Sequence, residues 1–130
     1  MAVERPKYDG FIPGQHVIEA YGAGGFVFAG MSHKGSILAL PGGISAWRIE
    51  GFDSLTISDF NPVFLEPAGA IDILLVGTGD HLRPVPKDIR AALLAHSIRV
   101  DPMATTHAVS TYNILLGEKR KVAAALIATM

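Results

Sequence analysis

The sequence predicts an α/β domain of three layers: a mixed central β-sheet flanked by helices, with an additional antiparallel β unit in the N-terminal half. Three observations lead there. Strand-like runs separated by glycine fill the chain up to about residue 50, Ile71-Asp72-Ile73-Leu74-Leu75-Val76 is nearly continuous apolar sequence, and helical periodicity starts only after that run.

Pro6, Gly10, Pro13 and Gly14 leave the first residues without a periodic pattern, so residues 1–14 read as a flexible arm and residues 15–130 as a single domain. Val17-Ile18-Glu19-Ala20-Tyr21 has strand composition, Gly22 to Gly25 tolerates positive φ, and Phe26-Val27-Phe28-Ala29 resumes the strand, which together predict a hairpin. Ser36 to Leu40 and Ile44 to Ile49 are two further extended runs around Pro41-Gly42-Gly43, with Trp47 as a packing anchor. Ser58-Asp59 caps a short helix that Pro62 limits to a turn or two.

Ile71 to Val76 is apolar on both faces, as a central strand of a partly parallel sheet must be. Pro86 suits a first helical position, Ile89, Ala92, Leu93 and His96 share one face, and Ile98-Arg99-Val100 returns as a strand, giving a β-α-β unit. A second helix starts near Thr105 or Thr106 and carries Ala108, Val109, Tyr112, Leu115 and Leu116 on its buried stripe. Gly117 costs about 1 kcal/mol inside a helix. A break is therefore expected there, with a last helix from Glu118 turning Val122, Ala125 and Leu126 to the core.

Composition narrows the functional classes. The 130 residues suffice for one domain that needs no metal or disulfide, and the absence of cysteine excludes thiolate chemistry. A net charge of −1 supplies no basic field for nucleic acid. The first residues carry charge and no apolar run, and Val122 to Met130 falls far short of the roughly 20 residues of a membrane span, so a soluble, cytoplasmic protein is expected.

Gly77-Thr78-Gly79-Asp80 stands where the strand from Ile71 ends, the place where open α/β sheets bind ligands and where backbone N–H groups can hold an anion. A dinucleotide fingerprint fails, because its sixth position is Leu82 and the helix starts only near Pro86. Thr106, Ser110, Thr111 and Asn113 form a polar side of the next helix, available either to a ligand or to local capping bonds. Glu118 precedes Lys119-Arg120-Lys121, where Arg120 pairs a carboxylate or an anion if the run is not simply solvated, with Arg83, Lys87 and Arg90 as possible additions. The five histidines have no metal-ligand spacing, and no nucleophile elbow surrounds Ser110 to make a triad with His81 and Asp80 or Asp101. No catalytic set, metal or cofactor is assigned.

Taken together, Gly25-Phe26, Gly35-Ser36, Trp47, Leu75-Val76-Gly77-Thr78-Gly79, and Thr106 followed by Thr111-Tyr112-Asn113-Ile114-Leu115 and Glu118 to Val122 make the chain resemble one family over about Ile12 to Ala128. It is the family of the mitochondrial respiratory complex I assembly factor 3 and the adipogenesis-associated domain protein. That resemblance implies a three-layer α/β fold, no established catalytic residues, and a role in binding other proteins, including subunits of a membrane respiratory complex. Without a transit peptide the chain looks like a prokaryotic member, soluble or held at the inner membrane by a partner. The rival expectation is a small-molecule or anion site, with or without enzymatic activity, at Gly77-Thr78-Gly79; a homo-oligomeric structural domain is the third.

Overall fold

A computed structural model describes residues 10–130. The N-terminal part supplies β1 (Phe11–Pro13), β2 (Ile18–Gly22), β3 (Gly25–Phe28), β4 (Met31–Lys34), β5 (Ile37–Leu40) and β6 (Gly43–Ala46). Two 3-10 turns, Phe52–Ser54 and Ile57–Phe60, lead into α1 (Asn61–Phe64). Then come β7 (Ile73–Gly77), α2 (Lys87–Ala95), β8 (Arg99–Met103), α3 (Thr105–Gly117) and β9 (Val122–Leu126).

Six strands form a mixed sheet in the order β1-β6-β5-β9-β7-β8, and β2-β3-β4 form a separate antiparallel sheet. In the large sheet β7 runs parallel to both β8 and β9, whereas β5 is antiparallel to β9 and β6. Alternation along each strand sorts the core into two clusters. Leu38, Leu74, Val76, Ala123 and Ala125 meet Ile89 and Leu93 of α2 and the Phe60–Val63 turn on one face. Ile37, Ala39, Leu75, Val122, Ala124 and Leu126 meet Ala108, Val109 and Tyr112 of α3, with Ile18, Phe26 and Phe28 of the small sheet, on the other. This is the expected three-layer arrangement.

Three local expectations are corrected. Val122–Leu126 is strand β9 and not a helix; all five residues are buried, and the strand lies between β5 and β7. Alanine favours helix in isolation, but a strand covered on both faces at the middle of a sheet needs small side chains on both sides, and that tertiary demand wins. The innermost pair is accordingly β5 and β9, with β7 one place nearer the edge. Phe11–Pro13, within the stretch read as an arm, pairs with β6 at Phe11↔Ser45 and Ile12↔Ile44, because an edge position tolerates Pro13. Residues 1–9 of that arm lie outside the described residues. Strand β4 had no counterpart in the sequence reading; Met31-Ser32-His33-Lys34 holds only one strong apolar residue.

The segment after β6 is tied down by Trp47, whose Nε1 donates to the Asp59 carbonyl at 2.9 Å and whose ring meets Phe60 edge-on at 5.4 Å. Asp59 also accepts from the Thr56 N–H at 2.8 Å, so the cap begins two residues earlier than Ser58. Pro86 immediately precedes α2 and its carbonyl receives the Arg90 N–H.

Candidate functional site

The glycine turn follows β7 directly, and α3 begins against it. Thr105, the first residue of α3, is fully buried. Its Oγ1 accepts the Gly79 N–H at 3.0 Å and donates to the Ile127 carbonyl at 2.7 Å, while the Thr105 N–H returns to the Gly79 carbonyl at 2.9 Å. One hydroxyl thus joins the turn after β7, the start of α3 and the end of β9. Gly77 is required by this closeness: a Cβ there would lie 2.9 Å from Thr105 Oγ1 and 3.0 Å from Leu126 Cδ2. Gly79 has φ +101, a conformation that L side chains rarely adopt.

Thr78 is buried and its hydroxyl is engaged within the protein. It donates to the His81 carbonyl at 2.5 Å, lies 3.2 Å from the Met103 carbonyl and accepts the Arg83 N–H at 3.1 Å. The Thr78 N–H goes to the Met103 carbonyl as well. These bonds make the turn a rigid junction between β7 and β8.

The polar side of α3 faces β2. Asn113 bonds both backbone groups of Ile18, its Oδ1 accepting the N–H and its Nδ2 donating to the carbonyl, each at 2.8 Å. The side-chain amide thereby acts as a short substitute strand along the edge of the small sheet. Thr106 Oγ1 bonds the Tyr21 hydroxyl, and Ser110 Oγ donates to the Thr106 carbonyl at 3.3 Å. Thr111 is half-buried on the same helix.

Glu118 and Arg120 lie at the opposite end. Helix α3 spans 13 residues, about 20 Å at 1.5 Å per residue, and the chain then turns at Lys119 (φ +60) into β9. Arg120 therefore stands near the start of β9, whereas Gly77 pairs with Leu126 at its finish. Both charged residues are exposed. Arg83 does not join Arg120 either: it pairs with Asp53 and stacks over the Phe52 ring at 4.5 Å. The structure therefore brings Gly77, Thr78 and Gly79 to Thr105, brings Thr106 and Asn113 to β2, and leaves Glu118 and Arg120 apart from both.

Two ionisable side chains have shifted affinities for protons. Tyr112, fully enclosed beneath α3, has no hydrogen-bond partner for its hydroxyl among the described residues, and burial pushes its pKa up to about 12. Burial lowers His33 below the usual imidazole range; a backbone bond with Ser36 opposes this, and the nearby Arg48 guanidinium adds to it.

The family model described as a protein of unknown function (DUF498/DUF598) matches residues 18–127. The chain belongs to that family. An uncharacterised protein of Rhodobacter capsulatus is 35% identical over 127 residues, covering 98% of this chain and 93% of its own length. The human NADH dehydrogenase (ubiquinone) 1 alpha subcomplex assembly factor 3 is 32% identical over 111 residues, covering 85% of this chain and 59% of the factor. This chain thus spans about three fifths of the assembly factor it matches. A crystal structure described as an outer membrane protein from Bartonella henselae is 44% identical, with a TM-score of 0.86 over 91% of this chain and 98% of that one.

Residues on which the family resemblance of the sequence rests hold chain segments together here. A Cβ on Gly25 would meet the His33 carbonyl oxygen at 2.1 Å, Ser36 Oγ accepts the Ala128 N–H at 3.0 Å, and Asn113 clamps Ile18. Thr105, the residue with the most to join, was read from sequence only as a helix start. A threonine directly after Met103-Ala104, opposite a Gly-Thr-Gly turn, is the signal that marks it.

Proposed function

We propose that this protein is a non-enzymatic, protein-binding factor that assists assembly of a membrane-associated respiratory complex of the NADH dehydrogenase type. The observation that carries the reading is the 32% identity to an assembly factor for NADH dehydrogenase over 85% of this chain. The chemistry of the glycine turn agrees with it, since the Thr78 and Thr105 hydroxyls are engaged by backbone groups and the Thr106 hydroxyl by Tyr21. On this reading the protein is soluble and prokaryotic, and it meets the inner membrane through its partner; among the described residues no helix is long and apolar enough to cross one. The anion-site reading of Gly77-Thr78-Gly79 has less support, because Thr105 already occupies the Gly79 N–H.

Affinity purification of the tagged protein from native membranes tests the proposal. Recovery of NADH dehydrogenase subunits or their assembly intermediates is the expected result. Recovery of none, together with normal complex assembly in a deletion strain, overturns it.

A further inference from the structure

A cavity of about 380 Å³ opens between the end of β4 and the segment that leaves β6, and three basic side chains, His33, Lys34 and Arg48, line it. Among the described residues no carboxylate lines it. Among the described residues neither Lys34 nor Arg48 takes part in an ion pair. The chain as a whole carries 11 Lys and Arg against 12 Asp and Glu, so a wall whose described residues include bases and no acid is a local departure from its balance. The floor beneath these side chains is fixed. The Trp47 N–H donates to the Ser36 carbonyl at 2.9 Å, the Ala46 N–H donates to the Gly10 carbonyl at 2.7 Å, and Gly35 turns the chain with φ +94. Half-buried Ile49 adds an apolar wall.

We propose that this cleft docks an acidic extended segment of a protein partner, its Asp or Glu side chains meeting Lys34 and Arg48. The proposal rests on the protein-binding reading above and names the surface that performs it. Charge complementarity selects the occupant. The cavity exceeds what one small anion fills, and in an extended chain alternate side chains recur on one face about every 7 Å, a spacing that lets successive carboxylates reach successive bases. Single exposed pairs of this kind are weak, so affinity must come from several acting together and must fall as salt screens them.

Amide NMR on the full chain tests the cleft with a synthetic decapeptide of alternating Asp and Ser, a Lys/Ser decapeptide of equal length, and inorganic phosphate. The acidic peptide should shift the resonances of Lys34, Gly35 and Arg48 and bind about tenfold more weakly to the Lys34→Ala/Arg48→Ala double variant. Both substituted side chains are exposed, and circular dichroism verifies that the variant folds. Unchanged affinity in that variant, shifts scattered away from the cleft, or an equal response to phosphate alone overturns the proposal, the last by assigning the cleft to a small anion. A dimer that the double substitution dissolves overturns it in favour of a second copy of this chain. Purification from membranes separates the two readings: if the wild type and the double variant capture the same complex subunits equally, the docking site is wrong and the assembly role stands. If the acidic peptide binds the cleft but neither protein captures a subunit, the docking chemistry stands and the assembly role is wrong.

Discussion

Replacing Thr105 by valine removes one hydroxyl and nothing else of consequence in shape, and the structure specifies the cost. Oγ1 accepts from the buried Gly79 N–H at 3.0 Å and donates to the Ile127 carbonyl at 2.7 Å, in a residue with 0% exposure. Each of the two backbone groups left unsatisfied costs about 1–3 kcal/mol, so Thr105→Val is expected to destabilise by about 2–6 kcal/mol. For a domain of this size that lowers Tm by roughly 7–22 °C. Thr105→Ser keeps the hydroxyl and loses a methyl group, at about 1 kcal/mol. Urea unfolding of the three proteins should rank wild type above serine and serine above valine, although valine is the more apolar and the closer isostere. Hydrogen exchange gives a second reading, with protection lost first at the Gly79 amide. A valine variant as stable as the serine one refutes the claim that this hydroxyl joins β7, α3 and β9.

Three further outcomes follow from other sites. Tyr112→Phe removes a buried hydroxyl that has no partner among the described residues and should leave stability unchanged or raise it by about 1 kcal/mol in urea unfolding. In the wild type the folded state holds the Tyr112 proton between the ordinary tyrosine value and about 12, so stability falls as pH rises through that window; absorbance titration should show one tyrosine ionising well above the ordinary value, and Tyr112→Phe should abolish that step. His33 has a folded pKa below its unfolded one, so the unfolded state takes up a proton first as pH falls below about 6.5 and stability drops; His33→Gln should flatten this part of the stability profile measured by chemical denaturation between pH 7 and 5. Gly25→Ala drives a methyl group to 2.1 Å from the His33 carbonyl oxygen, which is backbone and cannot turn aside, and should cost at least about 1–3 kcal/mol with loss of cross-strand contacts between β3 and β4 by NMR.

The layers were legible because they rest on period and on glycine placement. Ile71 to Val76 is apolar on both faces and can only be an inner strand, and the buried stripe of α3 reads directly from Ala108, Val109 and Tyr112. β9 was not legible: in a run as short as Val122-Ala123-Ala124-Ala125-Leu126 the helical and the two-sided strand patterns coincide, and only its neighbours β5 and β7 decide between them. β4 was hidden because its solvent-facing residues are polar and a hydrogen-bonded partner, β3, holds it in place. At the site, the sequence marked the glycine turn and the polar side of α3, but a one-residue difference matters on a helix. Thr105 points to the turn, whereas the next residue, Thr106, points to Tyr21. The charged Glu118 and Arg120 lie one helix length away, a separation that sequence proximity to Asn113 conceals.

The position of β9 also bears on how the chain is made. It is the last strand in the sequence, and it is the one that hydrogen-bonds the β5-β6 hairpin to the β7-α2-β8 unit. During synthesis at roughly 5–20 residues per second, those two parts leave the ribosome with no strand between them, each presenting an unsatisfied edge. Closure of the sheet therefore cannot precede synthesis of β9, and until then the edges of β5 and β7 that it joins stay open to other strands.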